Sequence, residues 1–592
     1  MKKARKLTAV LLSLVMLLAL VVPASAAENY SITIHNDKTG HTYEAYQIFA
    51  GTVSSDEATA GNVKGPMLGD ITWGNGVNGD ALLAALKAAD EEKYGACTTA
   101  ANVAEALGAE GATAADAAAF ADIAAQHLTA TVAGTATAPN DDGNYIIEGL
   151  PAGYYLVKDS LQEDDNQTGQ VLSDYIVQVL GNVTMDPKDS DIPTLEKKVA
   201  EEGKGNEGKY NQDGGYGTYY NDVADWNIGD SVPFKLIASM PDAAEIAAYD
   251  TYSYTFHDTL DPGLTLEQKA GEDQTTFAIY FVNTKNEDPR AEGFQYLDAA
   301  KYDVNIDAET NSFTIAIDDL KTLMVTTAGG QQIPATNYDY IVIFYDAVLN
   351  ANAEIGLPGN ENTAYLEFSN NPNGDGAGRT EDDKVIVFTY ELDGTKVDGE
   401  TQAALQNAQF VLLNGAKSEA AMVVDGKVTG WVKVDTDAAA GDVEMPGTYE
   451  EWVERYGDQN VILTSDENGL FNIAGLDDGT YFLREIQAPN GYNLLENDVK
   501  LVITATTANG QDWNGNAADA LRGLTIAVND GEPQPGNTET GIVEVTVENN
   551  RGATLPETGG MGTTLFYIIG GLLVVGAGIL LVVRIRMKAH NE

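Results

Sequence analysis

The sequence predicts an all-β protein made of tandem β-sandwich modules. Short runs of alternating apolar and polar residues, separated by Gly, Asn and Asp turns, fill most of the 592-residue chain, and this pattern is typical of antiparallel sandwiches. The chain is too long for one hydrophobic core, so several modules are expected. One alanine-rich stretch of the first module departs from the alternation and predicts two or three short helices.

Three modules are predicted between the two ends of the chain. Module one covers residues 28–187 and contains the helical insertion, module two covers 188–384, and module three covers 385–552. The Gly- and Asp-rich stretch "NPNGDGAGRTEDDK" marks the limit between the second and third modules. Predicted strands include "YSITIHN" in module one, "YDTYSYTFHDTL" and "NTAYLEFSN" in module two, and "KVIVFTYELDGTKVDG" and "GIVEVTVENN" in module three.

Both ends of the chain have the composition of targeting segments. Residues 1–27 combine a basic start, an apolar run and small residues, which predicts a signal peptide cleaved next to Ala26 or Ala27. An uncleaved membrane anchor is the alternative. Residues 553–592 contain an apolar run, Leu565 to Val583, of about membrane-spanning length. The cations that follow this run predict a cytoplasmic tail, which leaves the preceding modules outside the cell.

Composition excludes several classes of partner. The chain has 34 Lys and Arg against 89 Asp and Glu, a formal net charge of −55, and this charge repels nucleic-acid phosphates and anionic lipid headgroups. We therefore expect no nucleic-acid partner. Cys97 is the only cysteine, so the chain cannot form an internal disulfide. Its position in the alanine-rich insertion is interpreted as that of a small helix residue.

The sequence predicts no metal site, no cofactor and no enzyme activity. The five histidines have no ligand spacing. The stretch "NGDGAGRTED" does not match the EF-hand spacing, which leaves calcium binding by the Asp/Gly loops open. No nucleophile, histidine and acid occur in a catalytic arrangement, so a surface hydrolase is disfavoured.

The pentapeptide "LPETG" precedes the C-terminal apolar run. Its proline fixes an extended segment that a protease-like enzyme can hold, and the helix keeps this segment at the membrane. Pentapeptide, helix and basic tail together resemble the sorting signal of Gram-positive surface proteins, and a chance match before an ordinary anchor is the alternative. The resemblance implies a sortase that cuts between threonine and glycine and leaves the threonine as acyl donor. The residues of this signal are Leu555, Pro556, Glu557, Thr558 and Gly559.

Register separates two adjacent lysines at the start of module two. In "TLEKKV" the two apolar residues define the inward face. Because side chains alternate between the two faces of a β-strand, a repeat called period two below, Lys197 is placed inward and Lys198 outward, where we expect Lys198 to be solvated. A buried ammonium must be paired, neutral or chemically converted. Inward positions on other strands of module two supply an acid, Asp258, and an amide, Asn370.

Module three repeats this arrangement with Lys396, Glu485 and Asn549, each in register with apolar neighbours. Burial lowers the pKa of a lysine toward a neutral nucleophile and raises the pKa of a carboxyl group. The protonated acid can polarise the asparagine carbonyl and move protons while ammonia leaves, so that a Lys–Asn isopeptide bond forms. The alternatives for each trio are a buried ion pair with a capping asparagine, or a register changed by a β-bulge.

Several segments resemble the backbone subunits of sortase-assembled pili of Gram-positive bacteria, over essentially the whole chain. "YFLREIQAPNGY" resembles the pilin E-box, and module three is similar to the collagen-adhesin B-type Ig-like domain. "DTLDPGL" and "FSNNPN" resemble the pilin middle domain, and "HTYEAYQIFAG" resembles the start of an N-terminal pilin domain. The resemblance implies tandem Ig-like domains with two isopeptide bonds, Lys197–Asn370 formed with the help of Asp258, and Lys396–Asn549 formed with the help of Glu485.

The same resemblance gives Lys188 a role. In the family, a lysine that follows a strand and a proline attacks the acyl-sortase and joins one subunit to the threonine of the next. In "VTMDPK" period two places Lys188 outward, as an intermolecular nucleophile requires. Asp186 stands where an aromatic residue is common in the family, which leaves Lys204 and Lys209 as alternatives.

Module one shows no complete trio. Lys38 and Asp159 occupy compatible registers, but Gly181 stands where an asparagine would be needed. The sequence therefore predicts no crosslink in module one.

The function that follows from the resemblance is structural. We expect a secreted major pilin that is held transiently in the plasma membrane, polymerised from Thr558 of one subunit to Lys188 of the next, and finally attached to peptidoglycan. Its implied partners are pilin-specific and housekeeping sortases, other copies of the chain, peptidoglycan, and tip and basal pilins; an adhesive ligand is not identified. A monomeric LPXTG-anchored adhesin is the alternative.

Overall fold

The computed structural model describes most of the three modules and the C-terminal helix. The described residues are 29–36, 38–53, 58–60, 63–65, 67–109, 114–161, 175–185, 192–201, 220–247, 249–269, 276–285, 289, 296–327, 329–371, 376–434, 445–508, 513–552 and 562–588. The predicted signal peptide, Lys188, its alternatives Lys204 and Lys209, and the LPETG segment lie outside the described residues.

Module one is a sandwich of two small sheets with helices packed on one outer face. Its strands are β1 Tyr30–His35, β2 His41–Val53, β3 Ala58–Ala60, β4 Val63–Gly65, β5 Leu68–Trp73, β6 Gly134–Ala136, β7 Asn144–Leu150, β8 Gly153–Leu161, β9 Tyr175–Val179 and β10 Val183–Met185. One sheet has the order β10-β1-β7 and the other β5-β2-β8-β9, with β6 also on β2. The alternation along β2 explains the layers, because Tyr43 and Ala45 pack between the sheets while Tyr46 and Ile48 pack against the helices.

The predicted helical insertion is confirmed and is divided into four helices. They are α1 Gly79–Ala89, α2 Glu91–Tyr94, α3 Ala100–Leu107 and α4 Ala114–Ala125. Asn78, Asp90 and Thr99 each accept a hydrogen bond from a backbone N–H three residues later, so each begins a new helix. Short polar caps within an alanine-rich run therefore produce more segments than the two or three that composition predicts.

Module two is a larger sandwich. Its elements are β11 Leu195–Ala200, β12 Tyr220–Asn221, β13 Val223–Asp225, β14 Ser231–Ser239, α5 Ala243–Ile246, β15 Tyr254–Leu260, β16 Leu264–Leu266, β17 Ala278–Val282, β18 Asp303–Asp307, β19 Ser312–Ile317, β20 Met324–Thr326, β21 Gln332–Pro334, β22 Tyr340–Leu349, β23 Asn360–Ser369, β24 Ala377–Arg379 and β25 Asp383–Phe388. The first sheet has the order β12-β11-β14-β22-β16, with β17 on β22. The facing sheet has the order β13-β25-β23-β15-β19-β18, with β24 on β23.

Module three curls one continuous set of strands around its core. Its elements are β26 Tyr390–Asp398, β27 Gln409–Asn414, β28 Glu419–Val424, β29 Lys427–Lys433, α6 Tyr449–Tyr456, β30 Leu463–Thr464, β31 Leu470–Leu476, β32 Gly479–Gln487, β33 Val499–Thr507, α7 Ala517–Ala520, β34 Leu521–Val528, β35 Gln534–Pro535 and β36 Ile542–Asn549. The strand order is β35-β34-β33-β32-β27-β28-β29-β31-β26-β36. The first and last long strands, β26 and β36, are parallel neighbours over eight residue pairs. The all-β fold class is therefore confirmed.

Modules two and three are packed tightly against each other. Their buried apolar side chains form one continuous cluster. At the junction, Gly356 and Gly541 both have positive φ, and a Cβ on Gly356 would lie 2.3 Å from the Gly541 nitrogen. Backbone hydrogen bonds from Leu357 to Glu539 and from Glu391 to Gly541 flank this contact. The two modules therefore meet backbone to backbone, which only glycine allows at this point.

A single apolar helix, α8 Gly562–Lys588, follows module three. Within it, Phe566–Met587 is long and apolar enough to span a membrane, with a mean hydropathy of 2.6 and no buried part. The predicted C-terminal apolar helix of membrane-spanning length is confirmed.

Candidate functional site

The predicted trio of module three meets in the core. Lys396 on β26 pairs with Val547 on β36, so Asn549 lies two residues further along the neighbouring strand. The Lys396 Nζ donates to Asn549 Oδ1 at 2.5 Å and to the Val547 carbonyl at 3.1 Å. Glu485 on β32 accepts from Asn549 Nδ2 at 2.9 and 3.0 Å and lies 3.8 Å from the Lys396 Nζ. The structure thus brings all three residues together.

Burial controls protonation at this site. The side chains of Lys396 and Glu485 are both inaccessible to solvent. Desolvation lowers the pKa of Lys396 to about 8, against the attraction of Glu485. Desolvation also raises the pKa of Glu485, against its hydrogen bonds with Asn549 and the Leu495 N–H. Both shifts favour the uncharged forms, a neutral amine and a protonated carboxyl group, over a buried ion pair.

In module two, Lys197 and Asp258 form a buried pair that joins the two sheets. Lys197 comes from β11 in one sheet and Asp258 from β15 in the other. The Lys197 Nζ donates to Asp258 Oδ2 and, at 2.7 Å, to the hydroxyl oxygen of Tyr345. Neither side chain of the pair is accessible to solvent. Desolvation lowers the pKa of Lys197 and raises that of Asp258, in each case against their mutual attraction.

Asn362, and not the predicted Asn370, lies at this pair. Asp258 pairs with Ala364 on β23, and Asn370 lies six residues beyond Ala364, roughly 20 Å along the strand at the usual rise per residue. Asn362 lies two residues to the other side of Ala364 on the same buried face. Its Nδ2 donates at 2.8 Å to the Tyr345 hydroxyl, which also contacts Lys197. This corrects the predicted asparagine, because period two fixes a face of the strand but not the position along it.

Tyr345 completes the site of module two, and sequence reasoning misses it. It lies on β22 at the end of the run Ile341–Tyr345, in which every residue is buried, so alternation does not separate the two faces there. Strand pairing places Tyr345 next to Phe234, which itself pairs with Val199, two residues from Lys197. The one sequence signal for it is a tyrosine that directly follows the apolar run Ile341–Phe344 of this central strand.

Lys198 is buried, so the prediction that it is solvated is wrong. Its Nζ donates to Asp222 Oδ1 at 2.5 Å, and the residue is 5% exposed. The outer face of its sheet carries a second apolar cluster that includes Tyr220, Ile237 and Phe344. Both faces of β11 are therefore covered, and an outward register does not imply solvent.

In module one, Asp159 pairs with a histidine. Both Asp159 carboxylate oxygens lie within hydrogen-bond distance of His41 Nδ1, at 2.9 and 3.0 Å, and the two residues are buried. The Lys38 carbonyl accepts a hydrogen bond from the Tyr145 hydroxyl. The absence of a crosslink in this module stays a prediction.

Three buried carboxylates lie at the junction of modules two and three. Oxygens of Glu201, Asp225 and Asp477 lie within 4.8 Å of one another, and this group among the described residues could hold a cation. The Tyr390 hydroxyl donates to Asp225 Oδ2 at 2.9 Å, and the Asp225 N–H donates to Glu201. Burial, followed by the charge of Asp225, raises the pKa of Glu201 well above its usual range. A protonated Glu201 therefore reduces the repulsion within the group.

Two family models match the chain. The SpaA prealbumin-like fold domain matches residues 391–516, within module three. The LPXTG cell wall anchor motif matches residues 547–589. These matches confirm the predicted Ig-like domain in module three and the sorting signal, and the protein is anchored in the cell wall at the bacterial surface.

The chain is also similar to a curated surface protein and to solved pilin structures. The chain is 26% identical over 298 residues to the trypsin-resistant surface T6 protein of Streptococcus pyogenes serotype M6. The matched region covers 41% of this chain and 48% of that protein. The chain thus matches about half the length of this curated relative. Among solved structures, the T6 backbone pilin of serotype M6 S. pyogenes covers 89% of this chain and 100% of its own, at 16% identity and a TM-score of 0.47. The full-length major pilin SpaD of Corynebacterium diphtheriae covers 90% and 100%, at 16% identity and a TM-score of 0.44.

Proposed function

We propose that this wall-anchored surface protein is a major pilus subunit whose second and third modules are each closed by a Lys–Asn isopeptide bond. The observation that carries the proposal is the site in module three. There a buried lysine amine lies against an asparagine carboxamide that a buried glutamate holds in place. The two residues to be joined lie on the first and last long strands of the module, 153 residues apart. Such a bond transmits tension between the ends of the module without unfolding it.

The reaction in module three follows from these contacts. The neutral Lys396 Nζ attacks Asn549 Cγ, while protonated Glu485 lies at Nδ2, the nitrogen that has to leave. Glu485 then supplies its proton to Nδ2 and accepts one from Nζ. The Nζ–Cγ bond forms, the Cγ–Nδ2 bond breaks and one ammonia leaves. The product is an uncharged amide, which removes the unfavourable burial of an ammonium.

In module two the same chemistry joins Lys197 to Asn362 with Asp258 as the acid. Asp258 and Asn362 are diagonal neighbours on adjacent strands, and both lie within hydrogen-bond distance of the Tyr345 hydroxyl. Among the described residues, Asp258 Oδ1 and Asn362 Oδ1 have no hydrogen-bond partner although both are buried. Protonation of Asp258 lowers the cost of leaving its Oδ1 without a donor, because a neutral carboxyl group is less costly to bury than a carboxylate. The bond would tie the two sheets together.

Two alanine variants test the assignment of the asparagine. We expect Asn362→Ala to leave module two uncrosslinked, so that the intact mass shows the loss of one ammonia, from module three alone. Asn370→Ala is the matched control, since Asn370 is also a buried asparagine and directly follows the same strand, and this variant should lose two. The reverse outcome, with only Asn370→Ala blocking the bond, would restore the Lys197–Asn370 pairing.

Polymerisation distinguishes a pilin from a monomeric adhesin. The LPXTG signal at 547–589 supports processing by a sortase, and we propose that Thr558 of one subunit is joined to Lys188 of the next. Cell-wall extracts of a Gram-positive host that expresses the chain with a pilin-type sortase should contain a ladder of covalent multimers that resists boiling in SDS. A single wall-linked monomer band would instead favour the adhesin.

A further inference from the structure

The hydroxyl group of Tyr345 contacts all three members of the module two site. It accepts from the Lys197 Nζ at 2.7 Å and from Asn362 Nδ2 at 2.8 Å, and it donates to Asp258 Oδ2 at 2.7 Å. The hydroxyl therefore lies between the acid and the nitrogen that has to leave. Module three differs, because Glu485 there contacts the asparagine nitrogen directly.

We propose that Tyr345 is a catalytic proton relay for the Lys197–Asn362 bond, an inference that rests on the crosslink proposed above. After Nζ has attacked Cγ, Nδ2 is no longer an amide nitrogen and can accept a proton. The phenol then turns its hydrogen from Asp258 Oδ2 to Asn362 Nδ2 and transfers it, while protonated Asp258 passes its proton to the Tyr345 oxygen. The Cγ–Nδ2 bond breaks and ammonia leaves. The surplus proton on Nζ goes to Asp258, so that both the acid and the phenol end the reaction as they began it.

The surroundings of Tyr345 support a relay that never becomes a phenolate. The side chain is buried between the two sheets and stacks on Phe234 at a ring-centroid distance of 5.4 Å. Burial, followed by the neighbouring charge of Asp258, raises the pKa of Tyr345 well above its usual range. Because the phenol loses one proton while it gains another, the mechanism requires no anion in this dry environment.

The difference between the two modules explains why a relay is needed only in module two. Asp258 carries a side chain one methylene shorter than Glu485, and its Oδ2 is bonded to Lys197 and Tyr345. Asn362 Nδ2 is bonded to the same phenol. The hydroxyl thus spans the distance that the longer glutamate covers in module three.

The test compares two Tyr→Phe variants. Tyr345→Phe should slow crosslinking of module two by about 10²-fold or more, the usual contribution of a positioned acid–base group, while module three reacts normally. Tyr254→Phe is the matched control, because its buried hydroxyl, which donates to the Ser239 carbonyl, has no contact with the trio. Samples taken during cell-free synthesis and quenched in acidic urea give the rate of ammonia loss for each module by peptide mass.

Each outcome decides between separate claims. A Tyr345→Phe protein that crosslinks module two at the wild-type rate overturns the relay, whereas a wild-type protein that never loses ammonia overturns the crosslink itself. If Tyr345→Phe does not fold, the relay is tested instead by the rate of ammonia loss from module two of the wild-type protein in mixtures of H₂O and D₂O. If two protons move in the same step, the crosslinking rate of module two depends on the deuterium fraction along a curve. A straight line would overturn the relay.

Discussion

Replacing Glu485 with glutamine will leave module three uncrosslinked while its fold is kept. Glutamine has nearly the shape of glutamate and can still accept from Asn549, but it cannot deliver or remove a proton during the attack of Lys396. The purified variant should have lost one ammonia instead of two. The unreacted chain gains conformational freedom when unfolded, since the bond would close a segment of 153 residues.

The expected loss of stability is large. By analogy with a disulfide that closes a loop of this length, the free energy of unfolding should fall by about 5 kcal/mol, and the melting temperature of the module by about 10 °C or more. Calorimetry and intact-mass measurement on the same sample check both parts. Glu544→Gln on the exposed face of β36 is the control and should leave mass and melting unchanged. A Glu485→Gln protein with the full ammonia loss would show that the acid is not needed.

Replacing Lys188 with alanine should abolish the covalent ladder without affecting export or either internal bond. Lys188 is the predicted attacking amine, so its removal leaves the acyl-sortase without an acceptor from the next subunit, while Thr558 can still be transferred to peptidoglycan. Immunoblots of cell-wall extracts should then show a monomer band only. Lys198→Ala is a neighbouring control, because Lys198 is buried against Asp222 and should not take part in polymerisation. A ladder that persists in Lys188→Ala but disappears in Lys204→Ala or Lys209→Ala would move the role to that lysine.

The residue types and faces of both sites could be predicted from the sequence. Lys197 and Lys396 are inward in their strands, and Asp258, Glu485 and Asn549 lie where alternation places them. Alternation places these residues on the correct face because the inward side chains of each strand point into the core between the sheets. The parallel pairing of β26 with β36, which places Asn549 beside Lys396, requires the tertiary fold.

The failures have physical causes in the same module. Asn362 on β23 and Asn370, directly after the end of β23, have the same place in the alternation, and only the pairing of Asp258 with Ala364 decides between them. Register predicts that Lys198 is solvated, but an apolar cluster covers the outer face of β11. Tyr345 lies in a strand buried on both faces, where period two carries no information. Sequence patterns give the face of a residue, whereas its neighbours along and across the sheets come from the fold.

The central claim is that two lysines, Lys197 and Lys396, form internal amide bonds. The most direct measurement is the intact mass of the secreted ectodomain, unfolded in acid and compared with the mass calculated from its sequence. We predict a deficit of two ammonia molecules per chain, with crosslinked peptides that join Lys197 to Asn362 and Lys396 to Asn549. A mass equal to the calculated value would contradict the account and leave both sites as buried polar clusters.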